Sequence, residues 1–294
     1  MDMTKTEGRP RREEQLRVFL LEDLGYGDIT SEALISPEKR ARARLFFKEK
    51  GVAAGLEEAS VIFTMLGCEV KHLERDGNWV PPGKLLLEFD GPARSLLAGE
   101  RTTLNLVSHM AGIATATAEV VEKVRKTSPS TRVAATRKTT PGLRDLEKRA
   151  VELGGGDTHR LGLDDCVLIK DNHLKLLPSL SEAVHLARKR VSFTKKIEVE
   201  VRSHEEAEEA ARAGADIIMF DNMDPSMIRE SLRMLVEAGL RAGRLFEASG
   251  GITAENAADY AAAGVDVVSL GSLTHSVRAL DVKLEITMTG GVRA

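Results

Sequence analysis

The sequence predicts an irregular, incomplete α/β barrel preceded by a smaller α+β domain, and three observations predict it. From about Lys195 onward, short apolar runs alternate with helical segments, as strand–helix units of a parallel sheet do. SHEEAEEAARAGAD at 203–216 and TAENAADYAAAGVD at 253–266 echo each other at a spacing of 50 residues, each followed by a strand. Two strand–helix units per repeat is what half of a barrel would produce. Finally, every recognised strand ends on a charged group or a glycine turn, at the place where a βα barrel gathers its chemistry.

The elements follow in order. An amphipathic helix is expected over Arg11–Asp23, a strand over Ala43–Phe47 and a helix over Leu56–Leu66. Strands near Glu69–Leu73 and Leu85–Phe89 flank the Asn78–Gly83 turn, and Glu100–Arg125 forms a long helix leaving this domain. Arg132–Thr136 and Cys166–Lys170 read as the first two strands of the barrel, each followed by a helix. Ile197–Val201 alternates like a strand; Ser203 and Glu206 then form a capping box, and Gly214 closes that helix. Asp216–Asp221 is the next strand, followed by a helix capped at Asp224, with Pro225 in its first turn and Gly239 at its close. Arg244–Ser249 is a strand, Thr253 caps a helix ending at Gly264, and Asp266–Leu270 is the last strand. The expected domains are 1–103 and 104–275, with the tail 276–294 returning to the first as a helix or strand over Asp281–Ile286.

Composition excludes several classes. The chain has 294 residues, a formal charge of −3, 42% hydrophobic and 30% charged residues, as an ordinary soluble globular protein does. A pI near 6.2 gives no reason to expect nucleic acid as a partner. No run approaches the ~18 apolar residues of a membrane span. The opening MDMTKTEGRPRREEQ lacks the apolar core of a secretory leader. Cys68 and Cys166 fit no metal spacing or disulfide framework, so a reducing cytoplasm is the expected setting.

Function is read at the strand ends. Arg137, Lys138, His159, Arg160 and Lys170 stand at or just past the ends of short apolar runs, around the triple glycine 154–156. A single such cation is usually just solvated, His159 alone suits a hydrogen-bonded core, and Gly154 alone suits a helix cap. Five together repel: one unit-charge pair at ~4 Å is worth about 4 kcal/mol near a protein surface. Their convergence therefore calls for an anionic ligand with several charges. Glu198, Glu200 and Asp221 end the next strands, and Glu200 and Asp221 suit a divalent cation or sugar hydroxyls. Ser249, Gly250, Gly251, Ser269 and Gly271 form turns whose backbone N–H groups suit a phosphate, after the last two strands.

These residues resemble the quinolinate phosphoribosyltransferase family. The resemblance runs through EDLGYGDIT at 22–30, GERTTLN at 99–105, AGIAT at 111–115, TRKTTPGLR at 136–144, the glycine triplet and LIKDNH at 168–173. It continues through EVE at 198–200, Asp221-Asn222, SGG at 249–251 and SLG at 269–271, nearly the whole chain. It implies an N-terminal α/β sandwich beside an irregular α/β barrel. It also implies transfer of a phosphoribosyl group from phosphoribosyl pyrophosphate to quinolinate, with magnesium, giving nicotinate mononucleotide, pyrophosphate and carbon dioxide. By motif, Arg137, His159, Arg160 and Lys170 would surround the two carboxylates of quinolinate, and Arg101 would reach in from a neighbouring subunit of a homodimer. Lys138 and Lys170 would meet the donor, Glu200 and Asp221 its ribose and magnesium, and the turns at Ser249–Gly251, Ser269 and Gly271 its 5′-phosphate. Two departures stand out: Ala135 where the family usually has Asp, and Thr158 where it often has Asn.

The nearest alternatives are a phosphoribosyltransferase for nicotinate or another aromatic acid, and the related protein of molybdenum-transport operons. A non-catalytic phosphate-ligand sensor is the alternative from another class. Retention of Lys138, Glu200 and Asp221 together speaks against the sensor, which has little need for a leaving-group apparatus.

Overall fold

The structure, a computed structural model, describes residues 9–288. Residues 1–8 of the opening segment, read as lacking the character of a secretory leader, lie outside those residues, as does the end of the tail. By internal contacts the chain falls into two units, one up to Thr115 together with the part from Arg278 on, the other Ala116–Val277.

The first unit runs α1 (Arg9–Leu24), α2 (Ile29–Leu34), β1 (Arg40–Phe47), β2 (Gly51–Val52), α3 (Leu56–Met65), β3 (Glu69–His72), β4 (Trp79–Val80) and β5 (Leu85–Pro92). The 35-residue helix α4 (Ala93–Thr127) starts here and continues past the contact boundary at Thr115. It is longer at both ends than the sequence pattern indicates. In β1, RARARLFF alternates as a half-buried strand must: Ala41, Ala43, Leu45 and Phe47 enter the core. On the other face Arg40 and Arg42 pair with Asp90, and Arg44 with Glu88, on the neighbouring β5. Phe63 of α3 packs on Phe89 of β5 at 4.1 Å between ring centroids.

The second unit continues with β6 (Arg132–Ala134), α5 (Arg144–Leu153), β7 (Val167–Ile169), α6 (Asp171–Leu174), α7 (Leu180–Arg190), β8 (Ile197–Val201) and α8 (His204–Ala213). Then come β9 (Ile217–Asp221), α9 (Pro225–Glu237), β10 (Leu245–Ser249), α10 (Ala257–Ala262), β11 (Val267–Ser269) and α11 (Ser272–His275). The chain returns to the first unit as β12 (Val282–Met288), which pairs antiparallel with β1, Ala43 opposite Ile286. The tail is thus a strand, giving a four-stranded sheet ordered β12-β1-β5-β3.

Six parallel strands form the second sheet, ordered β6-β11-β10-β9-β8-β7. β6 and β7 do not pair with each other, so the sheet is open, as expected of an incomplete barrel. Among the described residues, a single bridge, between Ala134 and Asp157, lies beside the free edge of β6. Side chains alternate strictly along these strands. Val199, Phe220, Phe246 and Val268 are fully buried in one core cluster with the helices. Glu198 and Glu200, Met219 and Asp221, Glu247 and Ser249 take the opposite, inward face.

Three cap assignments need correction. Ser203 accepts from Glu206 N–H as expected, but the Glu206 carboxylate accepts from Arg202 N–H rather than from Ser203, so the box is displaced by one residue. Asp224 occupies the cap position of α9 without a side-chain cap bond, leaving Pro225 as the start signal. Thr253 and Asn256 bond within a turn, so α10 begins only at Ala257. Helix α6 is an addition to the expected elements, formed where KDNH reads in sequence as a strand end.

Candidate active site

A cavity of about 660 Å³ opens at the carboxyl ends of the six strands. Its wall includes Arg137, Lys138, His159, Arg160, Lys170, Glu200, Asp221, Ser249, Gly250, Gly251, Ser269 and Gly271. The structure thus brings together every residue singled out from the barrel's strand ends, Glu198 excepted. Glu198 is fully buried and lines a second cavity, of about 570 Å³, near the amino ends of the strands. The register explains the split: Lys196, Glu198 and Glu200 share the inward face of the sheet, and only the last reaches the mouth. Arg101 is exposed on α4 in the other unit. The triple glycine lies outside the mouth. Gly155, at φ 82, turns the chain out of α5, and a Cβ on Gly156 would lie 2.8 Å from Thr117.

Arg137, Arg144 and Arg160 crowd one another beside the mouth. Arg137 follows β6; burial, then the neighbouring Arg160 and Arg144, press its pKa down. Its buried Nε has no hydrogen-bond partner among the described residues, and neither does the buried Ser269 Oγ. Arg160 donates to the Cys166 carbonyl at 3.3 Å. Arg144 anchors two loops, donating to Thr139 Oγ1 at 3.0 Å and to the Leu161 carbonyl at 3.1 Å. Lys138 is exposed, and its carbonyl is fixed by the Thr274 hydroxyl at 2.8 Å.

His159 stands between two buried carboxylates, its Nε2 3.2 Å from Glu247 and 3.5 Å from Glu198. Burial opposes charge on the ring, but the neighbouring Glu198 and Glu247 carboxylates outweigh it and raise its pKa to about 10. Burial raises the pKa of Glu198 as well. The Arg160 N–H meets Nδ1 at 2.7 Å, which favours a neutral ring, against the pull of the carboxylates towards imidazolium. In either state Nε2 carries a proton. Although His159, Glu198 and Glu247 bring ligand atoms within 4.8 Å, the ring is therefore a donor to the carboxylates and not a metal ligand.

Glu200 and Asp221 sit on adjacent strands at the mouth, each already matched to a cation. Lys170 Nζ bonds Glu200 Oε1, and Arg202 donates to Asp221 Oδ2 through two nitrogens, at 2.9 and 3.0 Å. Asn222 Nδ2 holds the other Asp221 oxygen at 2.8 Å. This is not a ready-made cage. Hard carboxylate donors beside an anion pocket do suit magnesium, which prefers one or two carboxylates and takes its remaining oxygens from phosphates and water. Beside Asp221, Gly250 and Gly251 adopt φ 91 and 63, and a Cβ on Gly250 would lie 2.5 Å from the Asn222 side chain. Only glycine fits there. Gly271 makes a second close approach, since its Cβ would lie 2.9 Å from Lys138 Cδ.

Residues 28–111 match the N-terminal domain of quinolinate phosphoribosyl transferase, and residues 113–285 match its C-terminal domain. The chain belongs to the quinolinate phosphoribosyltransferase family. It is 45% identical over 271 residues to a probable nicotinate-nucleotide pyrophosphorylase (carboxylating) of Methanothermobacter thermautotrophicus, covering 92% of this chain and 97% of that one. It is 39% identical over 260 residues to the nicotinate-nucleotide pyrophosphorylase (carboxylating) of Rattus norvegicus, covering 88% and 86%. The crystal structure of NadC from Streptococcus pyogenes superposes with a TM-score of 0.89 at 38% identity, over 95% of this chain and 97% of that one.

The two departures from the family pattern take on a structural meaning. Ala135 is fully buried, its N–H bonded to the Asp157 carbonyl at 2.9 Å, and has no part in the mouth. Thr158 contributes its carbonyl, which accepts from Lys148. Sequence reasoning missed Glu247 and Lys148, and named Asn222 without giving it a role. A signal existed for Glu247: Phe246 and Ala248 read as core, which puts Glu247 on the same face as Ser249. Burial pushes the Cys68 and Cys166 thiols up to about 11, which keeps them protonated near neutral pH.

Proposed function

We propose that this phosphoribosyltransferase joins quinolinate to phosphoribosyl pyrophosphate, releasing pyrophosphate and carbon dioxide and forming nicotinate mononucleotide. The observation that carries the reading is that Arg137, His159, Arg160 and Lys170 line the same cavity as the Ser249–Gly251 turn. A dicarboxylate balances the first group. The unpaired Arg137 Nε supplies a buried donor for it, and the exposed Lys138 is free to follow the departing pyrophosphate.

In this reading, Arg137, His159 and Arg160 hold the carboxylates so that the pyridine nitrogen faces C1 of the ribose. The nitrogen lone pair forms the new bond as the C1–O bond breaks, its electrons leaving on pyrophosphate. Glu200 and Asp221 lie where positive character on the sugar is balanced. The pyridinium then takes up the electron pair released at C2 as carbon dioxide leaves, and a proton replaces the carboxylate. No side chain acts as a nucleophile, so positioning is the main demand on the protein. Magnesium would be held on the protein side by Glu200 and Asp221, and supplies charge neutralisation to the leaving pyrophosphate.

A homodimer completes the reading, Arg101 of each subunit entering the site of the other; its exposure on α4 supports this. Among the described residues no helix is long and apolar enough to cross a membrane, and the two free thiols suit a cytoplasmic setting. The direct test is incubation with quinolinate, phosphoribosyl pyrophosphate and magnesium beside a nicotinate control. Product from quinolinate alone supports the reading. Product from nicotinate alone overturns the substrate, and no product from either overturns the reaction.

A further inference from the structure

Lys148 has no part in the chemistry described so far, yet it is 1% exposed on α5 and flanks the cation cluster. The charged groups facing it come from every neighbouring element: Arg144 on its own helix, Arg137 after β6, and Asp157 and Arg160 from the segment beside the β6 edge. Burial, then Arg144, pulls its pKa down to about 8. An ammonium is thus kept where water is scarce and three other cations crowd it. For packing alone an apolar side chain would serve this helix position better.

Lys148 Nζ donates a hydrogen bond to the backbone carbonyl of Thr158. That carbonyl leads into His159, whose φ of 51 lies in the left-handed region disfavoured for any residue with a side chain. Such a conformation persists only where its surroundings hold it. Here the preceding residue is tied to β6, Asp157 N–H donating to the Val133 carbonyl at 2.8 Å, and its Oδ1 accepts from His159 N–H at 2.8 Å. Lys148 holds the peptide in between. The turn breaks strand alternation, so that His159 and Arg160, consecutive in sequence, both line the mouth.

We propose that Lys148 is a positioning residue for the acid-binding end of the cavity: it clamps the Thr158 carbonyl so that His159 and Arg160 together engage the carboxylates of a pyridine dicarboxylate, without touching the substrate itself. The inference rests on the proposed function, specifically on His159 and Arg160 facing the acid. It sets acid affinity and leaves the donor end, on β8 to β11, unaffected.

The test is steady-state kinetics of Lys148→Met, which keeps the length but loses the donor, and Lys148→Gln, which keeps an N–H donor. Both substrates are varied and folding is followed by circular dichroism. The expected result for Lys148→Met is a rise of about tenfold or more in KM for quinolinate, with KM for phosphoribosyl pyrophosphate changed by less than about twofold. Lys148→Gln should recover part of the loss. Equal rises in both KM values, or an unchanged quinolinate KM in a less stable protein, would show a packing role and overturn the proposal. Should the Met variant fail to fold, the Gln variant alone carries the same comparison against wild type. Arg137→Ala and Arg160→Ala serve as controls, read by calorimetric titration with quinolinate: if both leave quinolinate affinity unchanged, the pocket assignment fails, whatever Lys148 does.

Discussion

Gly250→Ala separates the donor end of the cavity from the acid end. Gly250 adopts φ 91, and its new Cβ would lie 2.5 Å from Asn222 Cγ and Oδ1. Left-handed backbone costs a residue with a side chain about 1–2 kcal/mol. The clash forces Asn222 to move, although Asn222 itself stands at φ 57 with its N–H bonded to the Ser249 carbonyl at 2.9 Å. Moving it breaks the 2.8 Å bond from Nδ2 to Asp221, and a hydrogen bond to a charged group is worth about 1.5–3 kcal/mol. The total is roughly 2.5–5 kcal/mol, from which partial relaxation of the exposed Gly251 side of the turn subtracts. At about 2–4 °C per kcal/mol, scanning calorimetry should show Tm lowered by roughly 5–10 °C. Initial rates at saturating quinolinate should show KM for phosphoribosyl pyrophosphate raised by about tenfold or more, equivalent to ~1.4 kcal/mol of lost binding. A variant with lowered Tm but an unchanged donor KM, or with only the quinolinate KM raised, would refute the placing of the phosphate at this turn.

Arg137→Ala is expected to abolish turnover and leave the circular dichroism spectrum unchanged; near-normal activity in the folded variant would sink the assignment. Mixing equal amounts of the inactive Arg101→Ala and Arg137→Ala proteins should restore about a quarter of wild-type activity, because half the dimers then carry one intact shared site. No recovery after confirmed subunit exchange would place Arg101 outside its neighbour's site. Lys148 also predicts a pH dependence of stability. Its pKa is about 8 folded against 10.5 ordinarily, so between those values the unfolded chain holds the extra proton. The penalty is therefore complete below pH 8 and fades as pH rises towards 10.5. Urea unfolding should show wild type gaining on Lys148→Met by on the order of 3 kcal/mol across that window. A chelator should stop turnover without lowering Tm, because Lys170 and Arg202 already balance Glu200 and Asp221. A large fall in Tm would instead point to a structural ion.

The strand ends were legible because packing alone rarely accounts for an inward-facing polar residue at the close of an apolar run. Arg137, Lys170, Asp221 and Ser249 illustrate it, and the 50-residue echo points to the strand that carries Asp221. What escaped were charged residues within apolar patterns. Lys148 lies among the buried Leu146, Ala150 and Val151 on α5. A lysine in such a helix reads as solvated unless its partner is known, and that partner is a backbone carbonyl ten residues on. Glu198 was grouped with Glu200 because residues two apart share a strand face. Depth along that face separates them, and depth depends on strand register. Helix α6 escaped because one turn is too short for a periodicity to register.

The unpaired edges of β6 and β7 have a consequence for how the site could be remodelled. A regular strand bridging them would show the interior every second side chain only, so neighbouring residues could never share one substrate. An irregular segment lies beside β6 instead, with Arg160 reaching the Cys166 carbonyl just ahead of β7. Freed from the pleat, it presents an imidazole and a guanidinium side by side. The unfinished seam is thus a stretch of the barrel wall where charge density can be doubled without lengthening the chain, and grafts aimed at new anionic substrates belong there.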